Sequence, residues 1–154
     1  MVGNPKVMKS LNEALRKEVY AILAYMVRSE WAAHQGYSKL ADYQRKLAMG
    51  EMHHAERLME RIFLFDGIPE LVKIEDVKVP GDIKAQLEHG LEDELAAITL
   101  YNEASEVAAG LPDSSSRDFF SSLMADEEKH AEWSEAQLDQ IETIGIDNYL
   151  SSQV

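Results

Sequence analysis

The 154-residue sequence contains no cysteine, and this absence narrows the chemistry that the protein can perform. Disulfides, thiolate metal sites, iron–sulfur clusters and a rubredoxin-type appendage are excluded, because each requires cysteine sulfur. The sequence also lacks a run of about 18 apolar residues, and its N-terminus lacks the apolar stretch and cleavage site of a secretory signal. We therefore expect a cytoplasmic protein that does not span a membrane.

Basic residues are scarce as well, since 15 lysines and arginines stand against 28 aspartates and glutamates and give a formal net charge of −13. Nucleic acids and anionic membranes are poor partners for such a chain, because binding to them depends on a basic surface. Cations are its natural partners. With 45% apolar and 28% charged residues, the composition otherwise predicts one ordinary globular domain over residues 1–154.

Apolar spacing predicts four long helices and a short fifth one. Asn4 and Pro5 form a typical helix start, Gly36 ends that first helix, and Ser38 is predicted to cap the second. The predicted helices cover residues 5–34, 38–66, 82–109, 115–144 and 146–152.

The connections between these helices predict the topology. The first and third connections are only a few residues long, so they join antiparallel neighbours. Residues 67–81 form a much longer link, which reaches roughly 50 Å when extended. A helix over residues 38–66 is about 43 Å long, so the link can cross the whole bundle. We therefore predict an all-α, antiparallel four-helix bundle made of two hairpins with a long crossover between helices two and three.

Each predicted helix carries an apolar stripe that acidic or histidine residues interrupt. Since these residues occupy positions that should face the core, a purely solvated role is a poor explanation for all of them together. In chain order the interruptions are Glu18, then Glu51 with His54, then Glu94, then Glu127 with His130.

The two halves of the chain match each other at an offset of 76 residues, which indicates a duplicated helical hairpin. The offset relates Glu18 to Glu94, Glu51 to Glu127 and His54 to His130. Residues three apart on a helix project from one face, so each Glu-x-x-His pair can bind a common ion while its glutamate bridges to a second.

A dinuclear metal site explains this arrangement. Four carboxylates and two divalent ions form a neutral cluster, whereas four buried carboxylates without metal repel one another and raise some of their own pKa values. The mixed carboxylate and imidazole set suits iron or manganese, with zinc as a competitor. Such sets are typical of carboxylate-bridged helical bundles.

On these residues the chain resembles the bacterioferritins over essentially its whole length. The motifs that carry the resemblance are LRKEVYAILAY, GEMHHAERLMERIFLFDGIP, DELAAI and DEEKHAEW. The resemblance implies a ferritin-like fold and a cage of 24 subunits that oxidises Fe(II) with oxygen or peroxide and stores ferric mineral. It also implies that the six residues above are the ferroxidase ligands, and it leaves open a ferredoxin-type electron donor.

The resemblance further implies a haem shared between two subunits, with Met52 as its axial ligand. On the helix Met52 points about 100° away from Glu51, outward from the bundle centre. Apolar residues that could line a haem slot, or equally a plain dimer interface, are Val19, Ile22, Leu23, Met26, Met49 and Ala55. His53 is an alternative axial ligand or a surface residue.

Two features of the resemblance leave specific roles open. Tyr25 matches a family tyrosine that can supply an electron, although its repeat partner Tyr101 suggests that both simply pack and donate hydrogen bonds near the ligands. The turn before Glu51, residues 46–50, lacks the acidic or histidine residues that family members often place there. The sequence therefore does not supply the ligands that would pass iron onward to a mineral core.

Two other functions use the same residues. One is a small di-iron peroxidase or oxidase resembling rubrerythrin, which works as a dimer and stores nothing. The other is a structural helical protein whose metal only stabilises the bundle. Assembly size separates the first from a cage, and turnover separates the second from an enzyme.

Overall fold

The computed structural model describes residues 1–154 as five α-helices and no strand, which confirms the predicted all-α bundle with a short C-terminal helix. None of the helices combines the length and the apolar character that a membrane span requires. The helices are α1 (Pro5–His34), α2 (Ser38–Leu64), α3 (Ile83–Ala109), α4 (Ser114–Ile144) and α5 (Ile146–Ser152).

Side-chain caps begin three of the four long helices. Asn4 accepts a hydrogen bond from the backbone N–H of Lys6 at 2.9 Å, and Pro5 follows as the first helical residue. Asp82 and Asp113 cap α3 and α4 in the same way, at 2.9 Å and 3.0 Å. Each cap satisfies an N–H group that has no partner within its helix.

The prediction that Ser38 caps α2 is wrong. Ser38 is the first helical residue, and the preceding Tyr37 makes no side-chain cap. Instead, the backbone N–H of Lys39 donates to the carbonyl of Gln153, beyond the end of α5, at 2.9 Å. A contact with a distant part of the chain therefore satisfies an amide that a local cap would otherwise satisfy.

The end of α2 lies at Leu64 rather than at the predicted residue 66. Asp66 has a φ of 56°, which lies in the left-handed region and cannot continue an α-helix. Gly36 and Gly145 also have positive φ, 86° and 79°, between α1 and α2 and between α4 and α5. Glycine adopts this conformation without steric cost, so both positions make sharp turns between consecutive helices.

The four long helices pack as two hairpins, α1 with α2 and α3 with α4, and α1 also packs closely on α3. By contrast, α2 and α4 meet largely through long side chains, such as Arg57 on Ser122 and Arg61 on Ser116. The largest apolar cluster lies towards one end of the bundle, and its fully buried members include Val7, Leu11, Leu15, Leu58, Ile62, Phe120 and Leu123.

The long connection between α2 and α3 contains no strand and is held against α1 by polar contacts. The side chain of Asn12 accepts from the backbone N–H of Glu70 at 2.8 Å, and Arg16 donates to the carbonyl of Glu70 at 3.2 Å. At the far end, Gln86 of α3 donates to the carbonyl of Pro80 at 2.8 Å. These contacts fix the crossover that lets α3 start at the end of the bundle where α2 also starts.

The short helix α5 closes the opposite end of the bundle from the main apolar cluster. Tyr149 is fully buried there among Leu40, Ile83, Leu87 and other apolar residues. Its hydroxyl donates to Oε1 of Gln137 on α4 at 2.9 Å. The two apolar clusters therefore leave the polar residues of the stripes in the middle of the bundle.

The packing predicts that Leu11→Ala will strongly destabilise the protein. Leu11 is fully buried in the main cluster, so truncation leaves a cavity and should lower the free energy of unfolding by about 2–5 kcal/mol. Leu95→Ala is a matched control, because Leu95 is 49% exposed on α3 and the same truncation should change the free energy by about 0.5 kcal/mol or less. Chemical denaturation of both variants measures the difference, and equal losses would contradict the described packing.

Candidate metal centre

The six residues that interrupt the predicted stripes meet in the middle of the bundle. The four glutamates are at most 2% exposed, although an isolated glutamate is almost never fully buried. His54 is buried too, and His130 is largely buried. Each of the four long helices contributes to this cluster, and α2 and α4 each contribute a Glu-x-x-His pair.

The cluster consists of two overlapping groups, in each of which one ligand atom from every residue lies within 4.8 Å of the others. One group contains Glu18 and His54, and the other contains Glu94 and His130. Glu51 and Glu127 belong to both groups. This sharing is the geometry in which two carboxylates bridge two ions, while the remaining glutamate and histidine of each group bind one ion.

Both histidines direct their Nδ1 atoms into the cluster. Nδ1 of His54 lies 2.9 Å from Glu127, 3.1 Å from Glu51 and 3.4 Å from Glu18. Nδ1 of His130 lies 3.0 Å from Glu51, 3.3 Å from Glu127 and 3.7 Å from Glu94. Each imidazole therefore faces three carboxylates, and the pseudo-twofold relation seen in the sequence also holds for these distances.

Two buried tyrosines donate hydrogen bonds to the non-shared glutamates. Tyr25 of α1 donates to Glu94 of α3, and Tyr101 of α3 donates to Glu18 of α1. Burial and the adjacent carboxylate raise the pKa of both phenols well above the usual value, so both remain donors. These crossed bonds hold Glu18 and Glu94 towards the centre.

The two halves of the cluster differ in one position that the sequence analysis did not assign. Asp126 places Oδ2 at 3.1 Å from Nε2 of His54, and a carboxylate in this position fixes the orientation of a ligating imidazole. The residue related to Asp126 by the repeat is Gly50, which has no side chain. Nε2 of His130 consequently has no equivalent partner. The repeat itself reveals this difference when positions 50 and 126 are aligned.

Without metal, protons on some of the carboxyl and imidazole groups offset the repulsion between the buried carboxylates. Burial, with repulsion from Glu51, raises the pKa of Glu18, and burial raises that of Glu94 to about 8. Burial also opposes the charged imidazoles, but hydrogen bonds to Glu127, Glu51 and Glu94 outweigh it and raise the pKa of His130 to about 12.

The same hydrogen bonds act on the shared glutamates and on the other histidine. Burial disfavours the charged carboxylates, yet bonds from His130 and His54 lower the pKa of Glu51 to about 2, and the pKa of Glu127 is also lowered. The pKa of His54 is raised well above its usual value, because bonds to carboxylates again outweigh burial. Imidazolium ions therefore supply the positive charge that divalent ions would supply.

The donor set fits divalent ions better than it fits protons. Oε2 of Glu18 is buried without any hydrogen-bond partner, which is costly for a carboxylate oxygen. Oε2 of Glu127 also lacks a hydrogen bond, although it lies 3.3 Å from Nδ1 of His130. A metal ion between the carboxylates can bind both oxygens, and mixed oxygen and imidazole ligation is typical of iron, manganese and zinc.

An ion pair that sequence patterns did not predict lies beside the centre. Arg28 of α1 is only 1% exposed and donates to Asp93 of α3 at 2.8 Å. Its guanidinium lies 5.1 Å from the centroid of the Tyr25 ring, and Tyr20 donates to the same Asp93. Arg28 lies on a side of α1 that is otherwise apolar. Apolar spacing therefore does not predict that an arginine is buried there.

Met52 lies outside the cluster, in a groove between α1 and α2. The groove has a volume of about 110 Å³, and its lining includes Ile22, Met26, Ala48, Met49 and Met52, with Glu30 and Arg45 also present. The expectation that Ala55 lines this slot is wrong, because Ala55 is buried in the main apolar cluster. Val19 also packs against that cluster. His53 points to solvent and pairs with Glu56 at 3.3 Å.

Apolar residues around this groove remain exposed on the single chain. Exposed fractions are 43% for Leu23, 51% for Met26, 46% for Val27 and 46% for Met49. They leave apolar surface exposed on α1 and α2 beside the groove, and exposed apolar surface of this kind is typical of protein interfaces or ligand grooves.

Comparison with known proteins places the chain in a family. The sequence profile of the ferritin family, described as "Ferritin-like domain", matches residues 8–144. A bacterioferritin from Streptomyces coelicolor is 38% identical over 154 residues, covering 100% of this chain and 92% of the relative. A bacterioferritin from Brucella melitensis is 37% identical over 149 residues, covering 97% and 92%. One from Mycolicibacterium paratuberculosis is 32% identical over 149 residues, covering 97% and 94%. The chain therefore belongs to the bacterioferritins, within the family that shares the ferritin-like domain.

Proposed function

We propose that the protein is an iron-storage protein with ferroxidase activity, which oxidises Fe(II) at the buried cluster and keeps the ferric product. The observation that supports this most directly is the pair of overlapping ligand groups that share Glu51 and Glu127. A cluster of this shape offers two adjacent cation sites in one chain, and membership of the bacterioferritins supports iron as the cation.

In this proposal two Fe(II) ions are substrates that bind side by side. Glu18 and His54 bind one ion, Glu94 and His130 bind the other, and Glu51 and Glu127 bridge them. Each ion gives one electron to oxygen or peroxide. With oxygen and two protons the products are two Fe(III) and hydrogen peroxide, and with peroxide and two protons they are two Fe(III) and two waters. No separate general base or nucleophile is required.

The residues around the ligands set the geometry and the charge. The buried carboxylates neutralise two divalent ions, and they stabilise the higher charge of the ferric products further. Tyr25 and Tyr101 orient Glu94 and Glu18, and Asp126 orients His54. The suggestion that Tyr25 also supplies an electron stays a prediction, and Arg28 is the feature that distinguishes its surroundings from those of Tyr101.

Storage requires an assembly larger than one chain. We propose a cage of 24 subunits built from twofold dimers, in which the apolar face of α1 and α2 is buried between partners. Such a cage has a mass of about 418 kDa, whereas a dimer of 17.4 kDa chains has about 35 kDa. A ferredoxin-type protein as electron donor for iron release is part of the same proposal.

The proposal can be tested by stepwise aerobic addition of Fe(II) to the metal-free protein, with ferric absorbance and bound iron followed together. We expect a fast phase that saturates at two irons per chain, followed by slower growth to a large ferric load. Glu94→Ala should slow the fast phase at least about tenfold, because loss of a group that only hydrogen-bonds to a metal ligand already costs about that much. Glu92→Ala removes an exposed glutamate from the same helix and is the matched control.

The outcomes separate this proposal from its rivals. An unchanged fast phase in Glu94→Ala would contradict the assignment of the cluster as the oxidation site. Oxidation that stops at two irons, in an assembly of about 35 kDa by light scattering, would indicate a small di-iron oxidase. Metal that raises the melting temperature without turnover would indicate a structural role.

Metal affinity should rise with pH. The pKa values of Glu18, Glu94 and His130 are raised, so these groups hold protons in the metal-free protein. A metal ion must displace those protons before it can bind. Zn(II) is a suitable probe because it is not oxidised. We expect its affinity to increase between about pH 6 and about pH 8, the pKa of Glu94, with protons released into weakly buffered solution. Affinity that does not change with pH would contradict the proton-filled cluster.

We also propose that the groove of Met52 forms one half of a haem site at the twofold axis. The thioether and the apolar lining fit a haem face, and Arg45, which lies 3.7 Å from Glu30 in the same lining, would supply a cation for a propionate. Haem held in this way supplies electron transfer. The groove on one chain has a volume of only about 110 Å³, below the size of typical ligand pockets, so a second copy of the chain would have to complete the site.

The haem proposal predicts different effects for two methionines in the same groove. Met52→Ala should abolish the absorption signature of an iron bound by two thioether ligands after reconstitution with haem. Met49→Ala is the control, since Met49 lines the groove and has no proposed ligand role. In the unmodified protein one haem should bind per two chains. Retention of the same spectrum in Met52→Ala would exclude Met52 as the ligand.

A further inference from the structure

A groove between α2 and α4 leads from the surface to the histidine side of the cluster. It has a volume of about 390 Å³, and the lining residues that matter here are Lys46, Gly50, Arg57, Asp126, Lys129 and His130. The space beside Gly50 is open, since a Cβ atom built there would meet no heavy atom closer than Nε2 of His130, at 4.0 Å. We call this feature the α2–α4 groove.

The charge of the α2–α4 groove is opposite to that of the molecule. The chain has a formal net charge of −13, yet the lining contains Lys46, Arg57 and Lys129 against a single carboxylate. That carboxylate, Asp126, already contacts Lys129 at 3.3 Å and His54 at 3.1 Å. Lys46 forms no ion pair with any carboxylate in the chain, and its ammonium lies 5.9 Å from the centroid of the Tyr43 ring. The groove therefore has cationic donors in excess of its own acceptors.

Comparison of the two repeats shows that the carboxylate beside His54 has no counterpart beside His130. Nε2 of His54 faces Asp126, whereas the related position beside His130 is Gly50. Nδ1 of His130 faces the carboxylates, so Nε2 is the ring nitrogen directed into the groove. It is a hydrogen-bond donor both in the imidazolium and in an imidazole that binds metal through Nδ1. Ligating imidazoles almost always donate this second N–H to an oxygen acceptor. The chain supplies an acceptor for His54 and none for His130.

We propose that the α2–α4 groove binds inorganic phosphate, which accepts a hydrogen bond from Nε2 of His130 and is held by Lys46, Arg57 and Lys129. A tetrahedral oxyanion is small enough for the groove and offers several acceptors to charged donors. A nucleotide phosphate is a poorer occupant, because Tyr43 is already stacked on Trp133 at 4.4 Å and leaves no open aromatic platform for a base. Free phosphate is therefore the ligand.

The role of the bound phosphate as a ligand for ferric product rests on the proposed ferroxidase function. The binding of phosphate itself does not. Ferric ions are hard cations that bind phosphate oxygens strongly. Phosphate in the α2–α4 groove would meet ferric product at the cluster and accompany it to the mineral. The helical turn at residues 46–50 lacks acidic side chains. Bound phosphate would provide the oxygen ligands in their place.

The test measures binding of phosphate to the metal-free, fully assembled protein and to the same protein loaded with Zn(II), by equilibrium dialysis with labelled phosphate. We expect one saturable site per chain in both forms, with sulfate competing and affinity falling as salt is added. The variant K46Q/K129Q should bind at least about tenfold more weakly, because two charge-assisted contacts are lost. Gly50→Glu should abolish binding, since it places a carboxylate in the groove.

Lys84→Gln is the control for loss of a lysine elsewhere on the chain, because Lys84 is an exposed lysine on α3 that does not line the groove. Its phosphate affinity should equal that of the unmodified protein. The absence of a saturable site, or equal affinities in K46Q/K129Q and Lys84→Gln, would overturn the proposal. Since no iron oxidation is involved, this result is independent of whether Glu94→Ala slows ferroxidation. Helical circular dichroism and the mass of the assembly establish that each variant is folded.

Discussion

Four carboxylates buried at the centre of one bundle form the constraint on which the rest of this structure depends. Their charges cannot remain uncompensated in an environment of low polarity, since the desolvation cost of each is several kcal/mol. Protonated imidazoles supply the compensation in the metal-free state, and divalent ions can replace them. The long helices, the apolar clusters at both ends and the hydrogen bonds from Tyr25 and Tyr101 all keep the four carboxylates and two imidazoles together.

The arrangement separates stability from chemistry along the bundle axis. Apolar side chains fill the regions on either side of the cluster, so the fold does not depend on the carboxylates for packing. The central layer instead carries charged groups that metal ions or protons satisfy. Because these groups come from four helices, any ion bound there also links the two hairpins, and binding strengthens the association of α1 and α2 with α3 and α4.

Much of the fold and the identities of the six central residues can be predicted from the sequence. Asn4 with Pro5, the periodic apolar stripes and the repeat at 76 residues are local signals, and they require no knowledge of contacts. Ser38 failed as a predicted cap because Gln153, over a hundred residues away in the chain, supplies the acceptor. The expectation that Ala55 lines the haem slot is wrong because the position of a residue around a helix does not by itself show which side of α2 packs against the core.

Other features depend on tertiary contacts that spacing cannot reveal. The ion pair of buried Arg28 with partly exposed Asp93 joins two helices far apart in sequence, and neither residue shows a pattern that separates it from a surface charge. The orientation of His54 by Asp126 could have been inferred only by asking which repeat positions are not matched.

That unmatched position gives the two histidines unequal freedom of rotation. His54 is held at both ring nitrogens, by the carboxylates on one side and by Asp126 on the other. His130 is held at Nδ1 alone, so turning its ring away from the cluster breaks fewer hydrogen bonds. His54 is therefore the more constrained of the two ligating side chains. His130 is the freer one, and it is also the one whose outer ring nitrogen lines the α2–α4 groove.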